Sequence, residues 1–145
     1  RRLILVDTGG IGETEDPLAA KVRRKAEEAL ASADLVVLVV DARTGPTTED
    51  RQAAQRLHRL GKPVLLVANK CDAPALDSLA GTFVSLGLGE AFPVSATGLR
   101  GTGELRELLR DPDRLPVSPE QLAHRCAGTD VGQLFIFPGN DSAVR

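Results

Sequence analysis

The 145-residue sequence contains no methionine, not even at position 1. A translated chain starts with one, so the sequence is expected to have been cut or processed, or read from an incomplete gene. Cysteine is scarce as well. Cys71 and Cys126 are far apart and have neither CxxC nor Cys/His metal spacing, which fits reduced structural thiols better than a disulfide or a zinc site. No apolar run approaches the ~20 residues that cross a bilayer. Arg1-Arg2 runs at once into Leu3-Ile4-Leu5-Val6, without the charged leader, apolar core and cleavage pattern of a secretory signal. These absences point to the cytoplasm and away from a membrane partner. A formal net charge of −2 gives no global pull toward nucleic acid. DNA is therefore not an expected partner, and any RNA contact needs a local patch. No internal repeat is visible.

What is present is an alternation of strand and helix signals. With 42% hydrophobic and 26% charged residues, the chain is long enough for one packed core and too short for two ordinary domains. Short continuous apolar runs at Leu3–Val6, Leu35–Val40 and Val64–Ala68, and a shorter one at Phe92–Val94, suit strands buried on both faces. Between them lie helical patterns. Asp16-Pro17 caps one with Leu18, Val22, Ala26, Ala29 and Leu30 on a single face. Thr47 with Asp50 opens a second as a capping-box variant, with Ala53, Ala54, Leu57 and Leu60 inward and Gly61 as its stop. A weaker helix is expected between about 76 and 86, interrupted by Gly81 and Thr82, and a last one near Gly103–Leu109. The alternation predicts an α/β fold, a doubly wound, mostly parallel sheet with its ligand crevice at the carboxyl ends of the strands. Residues 1–110 form this unit. Residues 111–145 lose the alternation and are a tail to which the sequence assigns no structure, apart from one apolar run, Leu134–Phe137.

Three polar motifs fall at expected strand ends. Asn69-Lys70-Cys71-Asp72 fits NKxD, in which the aspartate accepts hydrogen bonds from the ring N–H and exocyclic amine of guanine. Adenine lacks that donor pair and would leave the carboxylate unpaired, so the motif selects the base. Asn69 bridges toward the phosphate side, the stem of Lys70 covers the ring, and Cys71 occupies the variable position, where a small apolar side chain suffices. Asp7-Thr8-Gly9-Gly10 fits DxxG: Asp7 holds Mg²⁺, usually through water, and a glycine lets the backbone N–H approach the γ-phosphate. Ser95-Ala96 offers a backbone N–H to the guanine carbonyl. Each is weak alone, and a strand-end turn is the bland alternative. Their order and their common placement at strand ends make coincidence improbable.

With these residues in view, the chain from about Leu3 to Leu109 resembles the first G domain of the bacterial double-domain GTPases of the Der (EngA) family. The phrases Asp7-Thr8-Gly9-Gly10-Ile11, Val40-Asp41-Ala42-Arg43-Thr44-Gly45, Gly61-Lys62-Pro63-Val64 and Leu86-Gly87-Leu88-Gly89 are similar to that family's wording. The resemblance implies the P-loop GTPase fold, N-terminally incomplete here, with binding of GTP or GDP and Mg²⁺. It further implies GTP hydrolysis coupled to assembly of the large ribosomal subunit, with ribosomal RNA and ribosomal proteins as partners. It puts Ile11 where many regulatory GTPases keep a water-orienting glutamine, so catalysis would lean on something else, and in similar GTPases a potassium ion assists. No catalytic base is assigned.

The sequence departs from that family in lacking GxxxxGK[ST], and with it the phosphate-binding lysine and the Mg²⁺-binding hydroxyl. The switch threonine expected upstream of Asp7 is missing too. Residues 1–145 alone are accordingly expected to bind GTP weakly or not at all, and to be inactive. In the G fold the strand before the P-loop lies between those corresponding to Leu3–Val6 and Leu35–Val40. Its loss leaves two apolar edges facing a gap, and unpaired buried backbone groups cost about 1–3 kcal/mol each. Leu134–Phe137 is the spare apolar run with a length that suits the gap, and self-association through the open edges is the alternative.

Two other classes of function compete. One is a nucleotide-independent scaffold that docks on ribosomal RNA or protein. The other is an unrelated enzyme using Asp7 or Asp41 as phosphoacceptor or metal ligand, which leaves NKxD unexplained. His58 and His124 lack partner spacing and are expected to face solvent, as are Lys21, Arg23, Arg24 and Lys25, for which contact with RNA is the alternative to a solvated helical face.

Overall fold

The computed structural model describes residues 2–7, 21, 24, 28, 30–33, 35–111, 114 and 131–138, with 2–7 and 131–138 described by their backbone. Five strands form one sheet: β1 (Arg2–Asp7), β2 (Leu35–Asp41), β3 (Val64–Asn69), β4 (Phe92–Pro93) and β5 (Val131–Pro138). Their spatial order is β1-β5-β2-β3-β4, and every neighbouring pair is parallel. Parallel pairing places all the carboxyl ends along one edge, as the alternation predicts.

The central strands are apolar on both faces because both faces are covered. Val36, Leu38 and Val40 of β2, with Val64, Leu66 and Ala68 of β3, pack on one side against Ala53, Ala54 and Leu57 and against Phe83 and Leu86. The intervening Leu35, Val37, Leu65 and Val67 pack on the other side with Val94 and with the partly buried Leu105, Leu108 and Leu109. Leu38, Leu57, Leu65, Leu66 and Phe83 are among the fully buried side chains, and each such burial contributes about 1.5–3 kcal/mol.

Helix α1 (Thr48–Leu60) has the ends its sequence calls for. Thr47 Oγ1 accepts from Asp50 N (3.2 Å), Asp50 Oδ2 accepts from Thr47 N (2.9 Å), and Gly61 closes the helix in the left-handed region at φ 60°. Next to it, Lys62 is buried, with Nζ donating to Ala31 O (2.5 Å) and Ala33 O (2.9 Å). It thereby satisfies carbonyls at the end of the preceding helical segment, where Lys21, Arg24, Glu28 and residues 30–32 are helical. Lys21 and Arg24 are exposed, as expected, whereas Arg23 and Lys25 lie outside the described residues.

Several details differ from the sequence reading. Leu60, expected to face inward with Ala53, Ala54 and Leu57, is exposed at the end of α1. The helix expected over about 76–86 is instead a 3₁₀ turn (Pro74–Leu76), one turn of α-helix, α2 (Asp77–Ala80), and a second 3₁₀ stretch (Gly81–Leu86). Pro74 tightens the first turn, and from Gly81 on the backbone follows i→i+3 bonding until Gly87 ends it at φ 71°. His58 is exposed, but its Nε2 lies 3.1 Å from Leu86 O, so the ring joins α1 to that stretch rather than pointing free into solvent. His124 falls outside the described residues. Helix α3 (Thr102–Arg110) is one residue longer at each end than expected.

The gap left beside β1 is filled. β5 comes from the part of the chain to which the sequence assigned no structure, and it lies between β1 and β2. Leu134 stands opposite Leu5 on one side and Leu35 on the other, and Ile136 stands opposite Asp7 and Val37. The expectation of insertion is met over a longer run than Leu134–Phe137, and Pro138 closes the strand opposite Val39. Proline is tolerated at that terminal position.

Candidate functional site

Asp7, Asp41 and Asn69 terminate β1, β2 and β3 on the same edge of the sheet. The NKxD loop begins where β3 ends. Lys70 has a φ of 70°, a left-handed conformation that costs a non-glycine residue on the order of 1–3 kcal/mol. That cost is offset by what the turn arranges. Lys70 Nζ pairs with Asp41 Oδ2 at 2.8 Å, and Cys71 N donates to Val94 O at 2.9 Å. Cys71 is fully buried, with Sγ 3.5 Å from Ala68 O, and burial pushes its thiol pKa up. The small, inert side chain expected at this position is what the packing holds.

The second loop is tied to the first through four side chains, Asn69, Asp72, Ser95 and Arg100. Ser95 Oγ donates to Asp72 Oδ1 at 2.5 Å, and Ala96 N donates to Asn69 Oδ1 at 3.0 Å. Arg100 makes a two-pronged pair with Asp77, both contacts at 2.6 Å, and donates to Cys71 O at 3.1 Å. Ser95 and Arg100 exchange backbone hydrogen bonds of 2.8 and 3.1 Å, closing the loop between them. Two glycines permit this closure: a Cβ at Gly98 would stand 2.9 Å from Ser95 Oγ, and one at Gly101, where φ is 71°, would stand 2.6 Å from Pro93 O.

The electrostatics follow from these contacts. The Ser95 hydroxyl, and then the Arg43 guanidinium, hold the Asp72 carboxyl below its ordinary value, so it stays an acceptor. Arg100 does the same for Asp77 and is itself held more firmly protonated by that carboxylate.

The structure thus brings Asn69, Lys70, Cys71, Asp72, Ser95 and Ala96 into one constellation. Asp7 ends β1, three strand spacings from β3, or about 14 Å along the same edge. Thr8, Gly9, Gly10 and Ile11 lie outside the described residues. The backbone N–H groups of Ser95 and Ala96, one of which the sequence offered to a guanine carbonyl, are engaged by Arg100 O and Asn69 Oδ1. Asp41, weighed earlier as a phosphoacceptor or metal ligand, is buried and paired with Lys70. Among the described residues, no group of three or more His, Cys, Asp or Glu side chains is placed to hold a metal ion, and no helix is long and apolar enough to cross a membrane. Sequence reasoning missed Arg43, Asp77 and Arg100. Arg43 sat in a family phrase without a role, and nothing in the spacing of Asp77 and Arg100 links them.

The chain is similar to known proteins over most of its length. Residues 1–70 match the family described as 50S ribosome-binding GTPase. The chain is 44% identical over 128 residues, 88% of its length, to GTPase Der of Salinispora arenicola. It is 44% identical over 132 residues, 91% of its length, to GTPase Der of Streptomyces coelicolor, and 43% identical over 120 residues, 82% of its length, to that of Moorella thermoacetica. In each case it spans 27% of the relative's own length. A parallel α/β sheet, and this degree of identity over most of the chain, lead to one conclusion: the chain belongs to the GTPase Der family and carries part of a G domain.

Proposed function

We propose that the chain is the base-reading part of a cytoplasmic GTPase that binds GTP or GDP and hydrolyses GTP in the assembly of the large ribosomal subunit. In this reading ribosomal RNA and ribosomal proteins are its partners. The observation that carries it is the Asp72 carboxylate, kept ionised by Ser95 and held beside a loop fastened to Asn69. A carboxylate fixed in this way accepts two hydrogen bonds from guanine and none from the corresponding edge of adenine. Lys70 would lay its stem along the ring, and Cys71 would keep the loop packed. Ser95 and Ala96 border the base, with the Ala96 N–H changing partner to reach its carbonyl oxygen.

The donor set fits the base better than it fits the metal. Toward Mg²⁺ the chain supplies Asp7, at the end of β1, and the sequence has no GxxxxGK[ST] hydroxyl beside it. Bound with GTP, Mg²⁺ neutralises charge on the β- and γ-phosphates. Thr8, Gly9, Gly10 and Ile11 belong to the γ-phosphate side in this reading. Because Ile11 cannot orient a water, a potassium ion near the phosphates is the proposed aid to hydrolysis.

A second reading, a nucleotide-independent scaffold docking on ribosomal RNA or protein, is favoured by one observation. β5 fills the place of the strand that leads into a P-loop, and the sequence has no GxxxxGK[ST] beside it. Labelled GTP, competed with GDP or ATP, separates the two when tested on this chain and on one extended at its N-terminus by a GxxxxGK[ST] segment. Retention by the extended chain that GDP abolishes and ATP does not supports the GTPase reading. Equal displacement by ATP, or no retention at all, sinks it.

A further inference from the structure

The edge by which guanine is read, a ring N–H and an exocyclic amine on one carbon, is itself a guanidine: planar, with two donors pointing the same way. The Arg43 side chain offers the same group. In this structure one of its terminal nitrogens, Nη2, donates to Asp72 Oδ2, the carboxylate oxygen opposite the one that takes the Ser95 hydroxyl. The backbone beneath Arg43 is fixed. Arg43 N donates to Asp41 Oδ1 at 2.9 Å, Thr44 Oγ1 donates to Asp41 O at 3.1 Å, and Asp41 is itself anchored by Lys70. The side chain is not fixed in the same way, since 58% of it is exposed. A group held at its root and free along its length can leave Asp72 at little cost.

We propose that Arg43 is an internal placeholder for the guanine edge, donating to Asp72 when no base is present and displaced when guanine arrives. This rests on Asp72 being the base-reading carboxylate. The contact has two consequences. It keeps Asp72 paired in the free protein, and it sets a threshold that only a ligand with its own donor pair can cross. A base without that pair would meet a carboxylate still engaged by Arg43. Arg43 thus acts by competition, lowering the affinity for guanine while leaving the weak binding of adenine unchanged.

Titrating the isotopically labelled chain and its Arg43→Ala variant with GMP and with AMP, read at the amides of Asp72 and Ala96 by NMR, tests this. The two nucleotides share their phosphate, so a general loss of positive charge shifts both alike. The expected result is a GMP Kd about two- to fivefold lower in the variant, the size of an exposed ion pair, with AMP unchanged. Weaker GMP binding in the variant, or parallel changes for both nucleotides, overturns the placeholder. A GMP preference that is present in both proteins with equal Kd overturns the placeholder alone and leaves the base site standing. No preference for GMP over AMP in either protein overturns the base-site reading and this inference with it.

Discussion

At the β3–β4 end of the ligand edge, four side chains, Asn69, Asp72, Ser95 and Arg100, tie two loops together with hydrogen bonds of 2.5 to 3.1 Å. At the β1–β5 end, the sheet is completed by a strand from beyond residue 130, and of the residues proposed for the phosphate side only Asp7 lies on a described element. The base end is complete in itself: each group it would turn toward guanine has a partner within the chain. The phosphate end is complete as a sheet but has no glycine-rich loop of the GxxxxGK[ST] type to receive a phosphate chain.

The largest effect should come from removing that strand. Ending the chain after residue 130 leaves β1 and β2 with facing unpaired edges, and at about 1–3 kcal/mol for each buried group left unpaired the fold should be lost. Circular dichroism should then show no cooperative melt, or light scattering should show association. A truncated monomer melting like the parent would mean that β5 is dispensable and the two ends are not built as described. Next in size is Asp72→Asn, which turns one acceptor into a donor. Preference for GMP over AMP should fall about tenfold or more, while XMP, whose C2 carbonyl can accept from the new amide, gains. An unchanged preference would take Asp72 out of the site.

A smaller effect concerns pH. Asp72 and Asp77 have folded-state pKa values held below their ordinary ones. Their contribution is therefore fully present above the ordinary carboxylate pKa, near 3.9, and is lost as pH falls from there through the lowered folded values. Arg100→Ala should return Asp77 toward its ordinary value and flatten the acid limb of a stability-versus-pH curve. A limb of unchanged slope would show that the Asp77 pair does not couple the two loops. The smallest expected effect is a near-absence of one. If the phosphate end adds little, GTP and GMP should bind the chain equally weakly in calorimetry. Micromolar GTP binding would break the contrast between the ends.

How much of this was legible beforehand differs by element. β2, β3 and α1 could be read because their determinants are local: continuous apolar runs, the Thr47/Asp50 box and the Gly61 stop. The 74–86 stretch could not, because Pro74 and Gly81 weaken a helix without saying that 3₁₀ turns replace it. β5 was legible only through the vacancy it fills. Its flanks carry no alternation, and the vacancy made insertion of this run one option beside self-association through the open edges. Of the base-end network, the NKxD and Ser95-Ala96 residues were visible in the sequence. The Arg43 contact with Asp72 and the Arg100 pair with Asp77 were not, because long side chains reach partners that depend on how two separate turns are set.

The position of β5 also governs when the molecule can become whole. Arg2 pairs with Val131 and Asp7 with Ile136, so β1 must wait for β5 before its inner edge is covered. Pairings so distant in sequence close large loops and form slowly. During synthesis, β1 and β2 are therefore finished well before anything can lie between them, and for that interval each presents an open edge on which another chain can template. The pairing that covers the inner edges of β1 and β2 leaves the growing segment dependent on shelter until residue 138 has emerged.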